Sequence, residues 1–117
     1  MADKVTIYHN PRCSKSRQTL QILQDKGIEP TVIEYLKTPP DATELSRILK
    51  LLGMEPRDLM RKKESEYKDA GLDDPSLSRD ELIAAMIKHP KLIERPIVLA
   101  KEKAALGRPP ANVLEIL

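Results

Sequence analysis

The chain has 117 residues, a formal charge of +2, one cysteine, and neither phenylalanine nor tryptophan. That length is one domain's worth and lets a fold bury roughly 65% of its unfolded surface, with a core drawn from Leu, Ile, Val, Met and three tyrosines. The charge is too small to draw the chain to nucleic acid or a membrane surface, a single cysteine excludes an intrachain disulfide, and no apolar run approaches the roughly 20 residues of a membrane helix.

Met1-Ala2-Asp3-Lys4 runs directly into Val5-Thr6-Ile7-Tyr8. No secretory leader is therefore expected, and the cytoplasm is the expected compartment. Val5-Thr6-Ile7-Tyr8 alternates and is β-branched enough to predict a strand. Leu20, Leu23 and a stop at Gly27 predict a helix behind it. Between the two lies His9-Asn10-Pro11-Arg12-Cys13-Ser14-Lys15-Ser16-Arg17, so the cysteine stands where a strand hands over to a helix N-terminus. Ser14 or Ser16 can cap that helix. Open N–H groups, the helix dipole and the cations Arg12, Lys15 and Arg17 favour a thiolate there over a thiol. A lone cysteine is ordinarily a small buried hydrophobe, but the neighbours of Cys13 from Asn10 to Gln18 are polar or proline. A solvent-facing thiolate beside anion-attracting amides suits attack on an oxyanion or a disulfide.

Pro30 opens a second extended run, Thr31-Val32-Ile33-Glu34-Tyr35, which completes a βαβ unit with parallel strands. Asp41 and Glu44 have the form of a capping box for a helix with the stripe Leu45, Ile48, Leu49 and Leu52, closed by Gly53. Pro56 suits a first helical turn, and Leu59-Met60-Arg61 is expected to carry that helix into Lys62-Lys63-Glu64. Tyr67 to Gly71 reads as a further short turn of helix. Ser78 with Glu81 is a second capping box, for a helix buried through Leu82, Ile83, Met86 and Ile87 and ended by His89-Pro90.

Pro96-Ile97-Val98-Leu99-Ala100 then predicts a buried strand, Lys101-Glu102 a tight turn, and Lys103 to Leu106 a weaker partner strand. Pro109-Pro110 starts a last helix whose apolar side is Val113, Leu114 and Leu117. The order is βαβ, a helical insertion at about 39–92, then ββα. This is an α/β chain with a mixed parallel and antiparallel sheet, helices on its faces and a reactive cysteine after its first strand, a thioredoxin/glutaredoxin-like layout. Without repeats or linkers, residues 1–117 are expected to form a single domain.

Four motifs, His9 to Arg17, Leu59-Met60-Arg61-Lys62, Glu94-Arg95-Pro96-Ile97-Val98 and Gly107-Arg108-Pro109, resemble those of the glutaredoxin-dependent arsenate reductase (ArsC-like) family. They come in family order and span essentially the whole chain. Because the sequence stops at Leu114-Glu115-Ile116-Leu117, it is most similar to the short chromosomal branch. The resemblance implies that Cys13 is the nucleophile and that Arg61, Arg95 and Arg108 hold the oxyanion. It implies that His9 and Ser16 lie near the sulfur and favour or hydrogen-bond its thiolate, and that Pro96 matches the cis-proline of thioredoxin-like folds. It further implies that the Cys13 thiolate forms an adduct with arsenate or a related oxyanion, and that glutathione, as co-substrate, attacks. Arsenite leaves, and glutaredoxin resolves the mixed disulfide that remains on Cys13. No bound cofactor is implied.

The chemistry of the residues agrees with these roles. Guanidinium groups offer paired donors that match a tetrahedral oxyanion two oxygens at a time. One cysteine supplies only one of the two reducing sulfurs, so an outside thiol is required. Singly, each arginine also has a plain structural reading: Arg61 heads a Lys/Glu-rich stretch, Arg95 can pair with Glu94, and Arg108 can close a turn. Neither Arg12 nor Lys15 is given a role. His9 and Cys13 are an isolated pair and His89 is remote, so no metal site is expected. Two other readings stay open. Cys13-Ser14-Lys15-Ser16 has the form of a dithiol motif with Ser16 in place of its second cysteine, as in a monothiol glutaredoxin-like transferase; a partner-binding member of the fold without catalysis is the other. A phosphatase-like loop is excluded, because it places arginine six residues after the cysteine, where this chain has Thr19.

Overall fold

The computed structural model describes residues 5–94 and 96–117. Four short strands form one sheet in the order β2-β1-β3-β4: β1 Thr6–His9, β2 Thr31–Glu34, β3 Ile97–Ala100 and β4 Lys103–Leu106. β2 runs parallel to β1 with Ile7 beside Val32 and His9 beside Glu34. β3 runs antiparallel to β1 and β4 antiparallel to β3. The mixed, thioredoxin-like sheet expected from the sequence is therefore present.

Strand position explains burial. β1 is central, and Ile7, Tyr8 and His9 are buried in succession on alternating faces, as in a strand covered on both sides. β2 is an edge and exposes Val32. Lys101 and Glu102 take φ of 53° and 58°, the paired positive angles of a two-residue hairpin turn matched to strand twist. Helix α1 (Ser14–Asp25) sets Leu23 into a core with Val5, Ile7, Val98, Val113 and Ile116. The last segment, Pro110–Ile116, is a 3₁₀ helix and not the amphipathic helix expected. Its three-residue repeat stacks i on i+3, so Val113 and Ile116 are buried while Leu114 is exposed.

The chain divides into two compact units, Met1–Thr38 with Arg95–Leu117, which carries the sheet, and Pro39–Glu94. The second holds α2 (Ala42–Leu52), α3 (Ser65–Asp69) and α4 (Arg79–Lys88), with 3₁₀ turns at Pro56–Leu59 and Pro90–Leu92. Asp41 accepts from the Glu44 N–H, and Ser78 and Glu81 form a reciprocal capping box. Gly53 closes α2 at φ 68°, a left-handed angle that glycine takes without steric cost. Leu45, Ile48, Leu49, Leu82, Met86 and Leu92 are fully or almost fully buried.

One stretch departs from expectation. The turn after Pro56 does not continue through Arg61. Met60 is extended and bridges Ile93 antiparallel, the Arg61 N–H donates to the Leu92 carbonyl at 2.7 Å, and the Glu94 N–H donates to the Leu59 carbonyl at 2.7 Å. Backbone pairing with a segment distant in sequence outweighs the helical propensity of the charged run. Among the described residues no helix is long and apolar enough to cross a membrane.

Candidate active site

β1 ends at His9 and α1 begins at Ser14, so four residues make the turn that carries Cys13. Asn10 holds that turn with three hydrogen bonds. Its carbonyl accepts from the Cys13 N–H at 3.0 Å, its Oδ1 accepts from the Arg12 N–H at 3.0 Å, and its own N–H donates to Ser16 Oγ at 3.0 Å. Pro11, between them, has no N–H to satisfy. Cys13 is the N-cap, with extended backbone (φ −95°, ψ 124°), and its carbonyl accepts the first helical bond from the Arg17 N–H.

The serines do not cap, contrary to expectation. The N-cap residue of α1 makes no side-chain cap hydrogen bond. Ser14 is the first helical residue, and Ser16 is fully buried one turn in, with its hydroxyl 2.6 Å from His9 Nδ1. A buried imidazole needs a polar partner, and Ser16 serves that need instead of the helix end. Burial holds the His9 pKa below its ordinary 6.5; the neighbouring Glu34 carboxylate works against this, and the Arg17 charge works with it. Burial therefore favours the neutral imidazole. The Arg17 guanidinium also donates to the Pro11 carbonyl at 3.0 Å, tying the helix back to the turn.

The result is a partly exposed cysteine at the N-cap of α1. First-turn amides and the positive dipole end favour a negative charge at this place. The same features favour the nucleophilic form of a thiol.

Of the other expected site residues, Arg108 lies in the same unit, directly after Gly107. The Gly107 N–H donates to the Pro96 carbonyl at 2.9 Å. A Cβ at Gly107 would collide with Thr19 Oγ1 and stand 2.6 Å from Pro96 Cγ, so only glycine lets the chain pass between α1 and the Pro96 ring. Arg108 is exposed, its carbonyl accepts from Asn112 Nδ2 at 3.0 Å, and its bond to Pro109 is cis. Pro96 is buried immediately before β3. Arg95, and with it the Arg95–Pro96 bond on which the cis-proline expectation falls, lies outside the described residues.

Arg61 belongs to the Pro39–Glu94 unit. Its Nη1 is 3.2 Å from Glu64 Oε1 and its Nε 3.8 Å from Glu94 Oε1. The structure thus brings His9 and Ser16 to the Cys13 turn, and it gives Arg61 two carboxylate neighbours of its own. Asn10 is the residue that the sequence reading left without a role. Its signal was present, because an asparagine side chain readily bonds the amide two residues on. Among the described residues no group of three or more His, Cys, Asp or Glu side chains could hold a metal ion.

Comparison with known proteins is consistent across sequence and structure. Residues 8–116 match the ArsC family. An uncharacterized protein of Escherichia coli (strain K12), YfgD, is 58% identical over 118 residues, covering 100% of this chain and 99% of its own. An arsenate reductase of Neisseria meningitidis serogroup A is 50% identical over 115 residues, covering 97% of this chain and 98% of its own. The solved structure of an arsenate reductase from Vibrio cholerae superposes with a TM-score of 0.96 at 56% identity, covering the whole of both chains.

Proposed function

The chain belongs to the ArsC family, and from that premise we propose that it reduces arsenate to arsenite, with Cys13 as nucleophile and glutathione and glutaredoxin as the source of electrons. The observation that carries the reading is the partly exposed Cys13 at the N-cap of α1. Relatives at about half identity that bear the name arsenate reductase support the substrate.

In the first step the Cys13 thiolate attacks the pentavalent arsenic. A sulfur–arsenic bond forms, one arsenic–oxygen bond breaks, and the oxygen leaves as water after protonation. In the second, the glutathione sulfur attacks the Cys13 sulfur. The sulfur–arsenic bond breaks with its electron pair going to arsenic, which becomes trivalent and leaves as arsenite, while the two sulfurs are oxidised to a mixed disulfide. A glutaredoxin thiolate then takes the glutathionyl group and returns Cys13 as thiolate. The helix N-terminus favours the charge on sulfur and on the incoming oxyanion. His9, bonded to Ser16, fixes the wall of the turn. The reading assigns the oxyanion to the guanidinium groups of Arg61, Arg95 and Arg108, which are suited to bidentate contact with its oxygens. It also requires a compartment where glutathione stays reduced, as in the cytoplasm.

The test is arsenite production by the purified chain with arsenate, glutathione and glutaredoxin. Cys13→Ser is expected to abolish turnover with the melting temperature retained, and turnover equal to the wild type overturns the mechanism. Arg108→Ala is expected to raise the KM for arsenate about tenfold, the scale of one lost charge-assisted contact, and a shifted melting temperature with unchanged KM assigns Arg108 to structure. Ser16, buried where a second redox cysteine would stand in a dithiol motif, favours one other reading, a monothiol transferase. That reading predicts faster turnover of a glutathionylated peptide than of arsenate in the same assay.

A further inference from the structure

Beside the Cys13 turn lies a cleft of about 310 Å³. One wall is the turn itself, from His9 to Arg12; the other is the chain leaving β2, with Glu34, Leu36 and Lys37. All of these residues belong to the sheet-bearing unit. The cleft does not contain Cys13 among its walls but is built on the residues that immediately precede it. Nothing in the steps above uses it.

Its chemistry is specific in charge. Arg12 and Lys37 are exposed cations, Glu34 is an exposed anion, and Leu36 is an apolar residue 41% exposed at the rim. Lys37 and Glu34 stand 3.9 Å apart with side chains 79% and 45% exposed. An ion pair that open contributes little, so both groups can exchange it for a ligand at small cost. The volume lies at the lower end of small-molecule sites. Such a cleft fits a small, flexible zwitterion with more negative than positive groups, and its position fits a molecule whose reacting atom must reach Cys13.

We propose that this cleft is the docking site of the thiol co-substrate, glutathione, whose two carboxylates meet Arg12 and Lys37 and whose ammonium meets Glu34, so that its sulfur is delivered over the turn to Cys13. The proposal rests on the glutathione-linked reading above and adds to it where the second sulfur comes from. Arg12 thereby binds charge on the co-substrate, apart from any effect on the sulfur. A neutral small thiol has no carboxylates to present and gains nothing from the cleft.

The experiment has two arms. The first titrates the full chain, labelled for amide NMR, with S-methylglutathione, which binds but cannot react. Shifts are expected at Arg12 and from Glu34 to Lys37, and Arg12→Glu and Lys37→Glu are each expected to raise Kd about tenfold, the scale of one charge-assisted contact. Lys37→Arg should restore wild-type binding. The second arm compares arsenate turnover with glutathione and with 2-mercaptoethanol, and the charge reversals are expected to raise the KM for glutathione about tenfold more than that for the neutral thiol. Shifts confined to other surfaces, or wild-type Kd and KM in both variants, overturn the cleft alone. A chain that binds S-methylglutathione here but turns over no arsenate with any thiol keeps the cleft and loses the arsenate reading.

Discussion

Two segments carry the residues assigned to chemistry, and they are held in opposite ways. The Cys13 turn is tied by short-range bonds to buried atoms: Asn10, Ser16 and His9 form one network within seven residues of sequence. The Arg61 segment is extended and joined by backbone to Leu92 and Glu94, about thirty residues away, with its guanidinium between two half-buried glutamates. The turn is therefore specified locally, and the residues that anchor it, His9, Asn10 and Ser16, are buried. The arginine is set by long-range pairing, with its charged end beside two carboxylates. A nucleophile needs a fixed position and a fixed environment, whereas a long cationic side chain can adapt its reach.

The comparison breaks most readily at Ser16. Ser16→Ala removes the partner of both the Asn10 N–H and His9 Nδ1 at a fully buried position. We expect a loss of about 1–3 kcal/mol in chemical denaturation, the cost of leaving buried polar groups unmade. A loss of less than about 0.5 kcal/mol would mean that the network does not hold the turn.

A smaller effect sharpens the same contrast through pH. Burial lowers the folded-state pKa of His9 below 6.5, so as pH falls below that value the unfolded chain takes up a proton that the folded chain resists. The stability linked to His9 is fully present above 6.5 and is lost as pH falls toward the folded pKa. Denaturation at about pH 7.5 and about pH 5.5 should show a drop for the wild type and a shallower one for His9→Gln. Equal slopes would place the titration elsewhere.

The smallest effect is expected in the second segment. Glu64→Gln removes the 3.2 Å partner of Arg61, yet partly exposed pairs of this kind contribute less than about 1 kcal/mol. Stability should hardly change, while arsenate KM should fall modestly if the carboxylate competes with the oxyanion for Arg61. An unchanged KM with a large loss of stability would make the pair a structural strut, and would erase the distinction between the two segments.

Much of this molecule is written in short-range pattern. Asp41, Ser78 and Gly53 announce helix ends because their partners lie within three or four residues. The place of Cys13 between a strand and a helix follows in the same way from periodicity and a glycine stop. Asn10 was equally legible, since its Oδ1 reaches only to the Arg12 amide, but a bond of that kind attracts less notice than a charge or a thiol. Tertiary structure alone decided that Ser16 turns inward to His9 instead of capping α1, because the need of a buried imidazole appears only once β1 is covered on both faces. It likewise decided that Met60 pairs with Ile93 and ends a helix that local propensity would continue, that Gly107 must be bare where Thr19 and Pro96 close on it, and that the end of β2 forms a charged cleft beside the turn. Local patterns settle quickly because their entropy cost is small. Contacts between distant residues depend on which surfaces the finished fold brings within reach.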